Sequence, residues 1–288
     1  FPLTVDFEER MYAAGRLPGG FVKRETRPTE KATLTARMID RPIRPMFADG
    51  FRNEIQIIAT VLSADQVHQP DVISIMGASA ALMVAGIPFD GPIAGVRVAR
   101  DEDGGFIVNP TFEETENSDL DLVVAGTADF ISMVEAGANE VSEEVMLEAL
   151  AFAQKALGEL CDVQMKLVDA TEPTPMELAL YQPNAEARER VFAHAEAMRT
   201  ALRNPDKHTR MDNVAAVKAE ILTTFSEDEL ATWSKDLSTL LKELEKVTMR
   251  TMVLETGERA DGRRADEVRP IWTKAGYLPR AHGSGVFT

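Results

Sequence analysis

The chain has 288 residues, 44% of them hydrophobic, and a formal net charge of −16 at pH 7. This length and apolar content suffice for two domains or parts of three, which excludes an intrinsically disordered protein. One cysteine and four scattered histidines exclude a disulfide framework and a zinc site built from these residues. The single cysteine favours a reducing cytoplasm. No run approaches the roughly 18 consecutive apolar residues of a membrane span, which predicts a soluble chain.

A positive segment near the start stands out against this acidic background. Residues 16–44 hold eight basic side chains against three acidic ones, a net charge of +5. The basic residues are Arg16, Lys23, Arg24, Arg27, Lys31, Arg37, Arg41 and Arg44. Lys23 and Arg24 follow Pro18-Gly19-Gly20-Phe21, a turn sequence that places one aromatic ring beside two cations. Because phosphates attract cations and an unstacked base packs on a flat ring, this pattern is typical of single-strand binding. A solvated loop without function is the alternative.

Short β-branched runs separated by turn residues follow the basic segment. They predict strands at 54–62, 71–76, 92–99, 105–109, 120–125 and 131–135, with a helix at 77–85 after the second strand. The last four strands are divided by Gly, Asp, Asn and Pro, which indicates an antiparallel meander. The acidic stretch 111–119 predicts a hydrated loop rather than a metal site, since carboxylates beside Asn and Ser usually stay solvated.

A long helix is predicted after these strands. Ser142 is its expected N-cap, and apolar residues spaced three and four apart from Met146 to Leu160 would pack on the sheet. Two prolines, Pro173 and Pro175, then mark a boundary that a helix cannot cross. The sequence therefore predicts that the first domain ends near residue 168.

The pattern beyond the prolines is helical. Helices are predicted from Asn184 to 202, from 211 to 222, and from Ser226, which forms a capping box with Glu229, to 247. Trp233 lies on the apolar stripe of the last helix, which predicts a core residue rather than a base-stacking platform. A polar linker at 255–264 precedes a run at 268–273 that is expected to start a new sheet.

Eight motifs, spread over the whole chain, carry a resemblance. They are Phe-Pro-Leu-Thr-Val-Asp at 1–6, Gly-Gly-Phe-Val-Lys-Arg-Glu-Thr-Arg-Pro at 19–28, Ile-Asp-Arg-Pro-Ile-Arg-Pro at 39–45, Asn-Pro-Thr at 109–111, Asp-Leu-Asp-Leu-Val-Val-Ala-Gly-Thr at 119–127, Val-Glu-Ala-Gly-Ala-Asn-Glu-Val at 134–141, Asp-Gly-Arg at 261–263 and Ala-His-Gly-Ser-Gly-Val-Phe-Thr at 281–288. Each motif alone is weak. In this order and spacing, the chain resembles the polynucleotide phosphorylase family.

The resemblance implies an α+β fold class: an RNase PH-like domain of mixed sheet and helix at 1–168, an all-helical domain at 176–253, and the start of a second RNase PH-like domain at 262–288. It implies phosphorolytic 3′-to-5′ degradation of single-stranded RNA to nucleoside diphosphates, as in mRNA decay, and the reverse polymerisation. Inorganic phosphate would be the co-substrate and magnesium the metal cofactor. The family also implies a cytoplasmic homotrimer, and membership of an RNA-degrading complex with an endoribonuclease or helicase.

The chain departs from the family pattern at both ends and in the basic loop. The opening strands of the first domain and nearly all of the second domain are absent, so both ends are expected to be cut. No catalytic or metal-binding residue is therefore expected within the chain, and the magnesium ligands are expected beyond its end. The family usually has two adjacent phenylalanines before the basic pair, whereas Phe21 here is followed by Val22.

The resemblance also assigns expected site residues. Those expected to bind RNA are Phe21, Lys23, Arg24, Arg27, Arg41 and Arg44, and those expected near the active site are Arg280 and His282. Two functions follow for the chain. It is the core of a phosphorolytic RNA-degrading enzyme or, as the alternative, a non-catalytic RNA-binding, ring-forming module of the RNase PH family.

Overall fold

The computed structural model of the chain describes residues 2–25 and 27–288, which fall into two units, Phe1–Tyr181 and Gln182–Thr288. The first unit mixes sheet and helix, and the second consists mainly of helices. The predicted α+β class is therefore confirmed, whereas the domain boundaries at 168, 176, 253 and 262 stay predictions. Across the described parts of the chain, no helix combines the length and the apolar character needed to cross a lipid bilayer.

The first unit is built on two sheets. Its strands are β1 (Leu3–Glu9), β2 (Ile55–Val61), β3 (Ala94–Arg100), β4 (Phe106–Val108), β5 (Leu120–Gly126) and β6 (Ile131–Ala138), and its helices are α1 (Glu30–Ile43), α2 (Asp71–Val84), α3 (Phe112–Asn117) and α4 (Glu143–Thr171). β1 and β2 pair in parallel, and the other strands form an antiparallel sheet in the order β4-β3-β5-β6. The predicted antiparallel pairing is confirmed, but the meander is wrong: β5 pairs with β3 instead of β4.

The antiparallel sheet is buried on both faces. Alternate residues of β5 point to opposite sides: Leu122 and Val124 pack on the side of α4, whereas Val123 and Ala125 pack on the side of α1 and α2. Cys161 of α4 belongs to the first of these layers, and its burial raises the pKa of the thiol to about 11. The helices therefore cover the sheet as two apolar layers.

The sequence prediction for residues 71–85 is wrong in its first half. A single helix, α2, replaces the predicted strand and helix, and it buries Val72, Ile75 and Leu82 against the core. These residues recur at a helical spacing, and β3 accommodates the helix closely at Gly95, where an added Cβ would lie 2.7 Å from the Ile75 side chain. Packing of this apolar face outweighs the strand preference of the β-branched residues.

The acidic stretch 111–119 is also more ordered than the predicted loop. Thr111 caps α3 in a capping box: its hydroxyl accepts a hydrogen bond from the Glu114 amide at 3.2 Å, and its own amide donates to the Glu114 carboxylate at 2.7 Å. The backbone hydrogen bond from Thr111 is the main cause of a lowered Glu114 pKa. Local capping therefore places three exposed acids, Glu113, Glu114 and Glu116, in a short helix.

A buried ion pair joins α2 to the sheet. The Arg97 guanidinium on β3 donates to the Asp71 carboxylate at 2.6 Å and also to Asp121 on β5. The side chains of Arg97 and Asp71 are only 8% and 5% exposed. Because water screens neither charge, each depends on its partner for compensation.

The second unit is a helical bundle followed by a hairpin. Its helices are α5 (Ala185–Phe192), α6 (Ala195–Leu202), α7 (Lys207–Thr223), α8 (Glu227–Thr232) and α9 (Ser234–Thr256), and its strands are β7 (Thr273–Ala275) and β8 (Gly285–Phe287). The bundle core includes Val191, Met198, Leu202, Leu240 and Leu244. β7 and β8 form an antiparallel pair after the linker, but β7 begins only at Thr273, the last residue of the run expected to start a new sheet.

Two of the predicted long helices are each divided. The helix expected from Asn184 to 202 breaks at His194, and the helix expected from Ser226 to 247 breaks at Trp233. Both residues have non-helical dihedral angles, and the Trp233 ring packs edge-on against Phe225 at a centroid distance of 6.2 Å. The Trp233 ring, which is half-buried, packs against the bundle core, so its predicted position at the core is confirmed.

The N-cap of α4 provides a direct test of local sequence control. The predicted cap is confirmed, since the Ser142 hydroxyl accepts a hydrogen bond from the Val145 amide at 3.4 Å. We expect Ser142→Ala to destabilise the start of α4 by about 1 kcal/mol and Ser142→Asp to restore it, because aspartate caps equally well. Hydrogen exchange of the first turns of α4 measures the effect, and equal protection in the two variants would contradict it.

Candidate nucleic-acid interface

The basic loop, residues 18–27, begins with a tight turn that exposes an aromatic ring. The Lys23 amide donates to the Gly20 carbonyl at 3.0 Å, and Lys23 adopts a left-handed φ of 53°. Phe21, inside this turn, is fully exposed, and the neighbouring Val22 is largely exposed as well. Such a ring is free to stack on an unpaired base.

The cations of the loop are free of carboxylate partners. Lys23, Arg24 and Arg27 are exposed, and none of them forms an ion pair within residues 2–25 and 27–288. By contrast, Lys31 lies 3.6 Å from Glu9, and Arg16 donates to the amide oxygen of Gln66 at 3.1 Å. The three loop cations are therefore available to phosphates.

One acid of the loop, Glu25, forms hydrogen bonds with the residues that follow β1. Glu25 accepts from the Arg10 guanidinium at 2.8 Å through one carboxylate oxygen and from the Met11 amide at 2.8 Å through the other. Arg10 is also paired with Glu8 on β1. Both hydrogen bonds lower the pKa of Glu25, and the one from Arg10 has the larger effect. The Glu25 carboxylate therefore stays ionised.

A cleft of 380 Å³ separates the loop from the body of the first unit. It is lined by the end of β1, by Pro18 to Gly20, by Thr29 before α1, and by charged side chains of both signs: Glu8, Glu9, Arg10, Arg24, Glu25 and Arg27. The guanidinium groups of Arg24 and Arg27, which form no ion pair within the described residues, thus lie on one concave surface together with three carboxylates.

Two other predicted RNA-binding residues lie on or at the end of α1 and already have partners. Arg41 pairs with Glu135 at 2.8 Å, and both side chains are about half exposed. Arg44 donates to Asp40 at 2.9 Å and to the Leu3 carbonyl at 2.9 Å, and the bond with Asp40 raises its pKa. Arg44 therefore ties α1 to β1, a role that the sequence did not indicate, and the RNA-binding role of both arginines stays a prediction.

Residues Arg280 and His282 lie apart from the loop in sequence. Both are exposed in the turn between β7 and β8, where the Leu278 amide donates to the Ser284 hydroxyl at 2.8 Å. Their predicted place near an active site stays a prediction.

Sequence reasoning missed two features of the interface. The anchoring role of Glu25 was not predicted, because its partner Arg10 lies 15 residues away and only the fold brings them together. Arg37, on α1, is exposed and has no ion pair within the described residues, and it was counted only as part of the positive segment. The one available signal for Glu25 was an acid placed directly after two cations.

Metal-ligating side chains are not clustered in the described part of the chain. Within residues 2–25 and 27–288, no group of three or more histidine, cysteine, aspartate or glutamate side chains could hold a metal ion.

Family models match most of the chain. The 3′ exoribonuclease family matches at residues 1–88 with its domain 1 and at residues 91–156 with its domain 2. The RNA binding domain of polyribonucleotide nucleotidyltransferase matches residues 186–264. A rice (Oryza sativa) protein of known crystal structure is similar at a TM-score of 0.46 with 13% identity, over 58% of this chain and 72% of that chain.

Curated relatives match from end to end. The chain is 49% identical to the polyribonucleotide nucleotidyltransferase of Heliobacterium modesticaldum over 293 residues, and 49% identical to that of Bacillus licheniformis over 290 residues. Each alignment includes 100% of this chain but only 40% and 41% of the respective relative. The chain therefore spans about two fifths of the relatives' length, and it belongs to the polyribonucleotide nucleotidyltransferase family.

Proposed function

We propose that the protein containing this chain degrades single-stranded RNA from its 3′ end by phosphorolysis and that this chain guides the strand. The name shared by the relatives supports the reaction, and the match to an RNA binding domain supports the substrate. The observation that supports the role of this chain is the loop at 18–27. There a fully exposed Phe21 lies beside Lys23, Arg24 and Arg27, none of which forms an ion pair with another described residue.

The loop attracts RNA by electrostatics. A chain with a net charge of −16 repels a polyanion over most of its surface, so Lys23, Arg24 and Arg27 concentrate the strand at one place. Stacking on Phe21 would then hold a base whatever its identity, because every base has a flat face. Guidance without sequence preference suits an enzyme that removes nucleotides one after another.

Phosphorolysis demands positioning rather than a covalent nucleophile. An oxygen of inorganic phosphate attacks the terminal phosphorus, the bond to the 3′ oxygen of the preceding nucleotide breaks, and a nucleoside diphosphate leaves while the shortened strand regains its 3′ hydroxyl. Magnesium, when bound, would offset charge on the departing oxygen. Arg280 and His282 are proposed to lie near this site, where cations hold both phosphate groups.

The proposed assembly is a cytoplasmic homotrimer. Three copies of the loop around a central opening would triple the local positive charge and bring the strand to one entrance. Association with an endoribonuclease or helicase in an RNA-degrading complex belongs to the same proposal.

The reaction is tested by the dependence of product on phosphate. The whole protein should release nucleoside diphosphates from single-stranded RNA only when inorganic phosphate is added, whereas the 288 residues on their own should bind RNA without releasing them. Liquid chromatography of the products separates diphosphates from the monophosphates of hydrolysis. Monophosphates from the whole protein, or diphosphates from the 288 residues, would refute the assignment.

A further inference from the structure

The basic loop contains an acid, Glu25, whose negative charge is unfavourable for binding RNA. Glu25 directly follows Lys23 and Arg24, and an isolated carboxylate there would repel phosphates. Its two oxygens, however, are both directed at the base of the loop. One accepts from the Arg10 guanidinium at 2.8 Å, and the other from the Met11 amide at 2.8 Å.

These bonds connect the loop to a fixed part of the fold. Arg10 also pairs with Glu8, which lies on β1, and β1 pairs in parallel with β2 along its whole length. Glu25 thus joins the loop to the sheet through Arg10, and to the short helical turn Met11–Ala14 through the backbone. The contact joins residues 15 positions apart, so it closes the base of the loop.

We propose that Glu25 is a positioning residue that holds the loop in its RNA-binding conformation. This inference rests on the proposed function of the loop. A loop closed at its base spends more time with Phe21, Lys23 and Arg24 arranged for a strand, and apparent affinity scales with the fraction of molecules in that arrangement. Arg10 offsets only part of the charge of Glu25, because the same guanidinium also pairs with Glu8.

The direction in which one mutation changes RNA affinity distinguishes this proposal from simple electrostatics. Glu25→Ala removes a negative charge beside the loop cations, so electrostatics alone predicts tighter binding of a polyanion. The proposal predicts the opposite: the dissociation constant for single-stranded oligouridylate should rise by about fivefold or more as the arranged fraction falls. Because Lys23 and Arg24 remain, the slope of affinity against salt concentration should stay unchanged.

A matched control removes another acid from the same positive segment. Glu30, at the start of α1, is exposed and has no ion pair within the described residues. Glu30→Ala should leave the affinity unchanged or raise it slightly, as charge alone demands. If Glu25→Ala binds as well as Glu30→Ala or better, the positioning role is wrong, even though the loop still binds RNA.

A second experiment removes the other partner of the Glu25–Arg10 contact. Arg10→Ala leaves the loop sequence intact, and it should speed trypsin cleavage after Lys23 and Arg24, because a loop with an open base adapts more readily to a protease. Cleavage at the parental rate would overturn the proposal.

The failure of this inference and that of the proposed function are distinguishable. If the parent chain itself shows no salt-dependent binding to oligouridylate, the RNA-guiding function fails. If the parent binds and Glu25→Ala binds equally or more tightly, only the role of Glu25 fails.

Discussion

Replacing Lys23 and Arg24 together with alanine should weaken binding of single-stranded RNA by about one to two orders of magnitude at low salt. The loss should be similar for all sequences, because phosphates rather than bases are contacted. Each phosphate contact contributes roughly 0.7 to the log-log salt slope of a single strand, so the slope should flatten by about 1.4. Fluorescence anisotropy of labelled homopolymers over a salt series measures both quantities.

The control for this variant removes two cations from another surface. Lys155 and Lys166 are exposed on α4, and neither forms an ion pair within the described residues. Their double alanine variant changes the net charge equally, so it separates the local effect of the loop from the effect of overall charge. If both double variants lose the same affinity and slope, or if the loop variant binds as the parent does, then the loop is only a solvated surface.

Replacing Asp71 with alanine should destabilise the first unit by about 3 kcal/mol. Arg97, whose side chain is 8% exposed, would keep only Asp121, and the Asp121 side chain is 40% exposed. A buried guanidinium that loses its better-shielded partner retains its desolvation cost and loses part of its compensation. Asp71→Asn should cost less, because the amide oxygen still accepts a hydrogen bond from Arg97.

Hydrogen exchange is the suitable measurement, since it reports the opening free energy of each strand. Amides of β3 and β5 should lose protection in the alanine variant. Both tryptophans, Trp233 and Trp272, lie in the second unit, so fluorescence would not follow this core. Arg41→Ala is the matched control, because it breaks the exposed Arg41–Glu135 pair of the same unit, which is worth about 0 to 1 kcal/mol. If the two variants lose equal amounts of stability, the burial of Arg97 does not determine the cost of losing its partner.

The sequence by itself determined the features that depend on near neighbours. Ser142 and Asn184 each cap the amide three residues ahead, and Ser226 forms its capping box with Glu229, as their spacing predicts. The strand at β5 also follows from its own residues, since a continuous apolar run suits a strand buried on both faces. The exposed turn at Phe21 follows likewise from the glycines that precede it, whereas the RNA-binding role of the loop stays a proposal.

The tertiary structure alone decided the features whose partners lie far along the chain. Whether 71–76 is strand or helix depended on packing against β3. The order of the sheet depended on β5 pairing with the edge of β3 that β4 does not occupy. The pairing of Arg41 with Glu135 spans 94 residues, and that of Arg97 with Asp71 spans 26. A composition count assigns Arg41 to the same positive segment as Lys23, yet folding gives Arg41 the carboxylate partner Glu135, whereas Lys23, Arg24 and Arg27 form no ion pair within the described residues. The net charge of a segment is the sum of its residues. Whether a given cation can bind a phosphate depends on which carboxylates the fold places beside it.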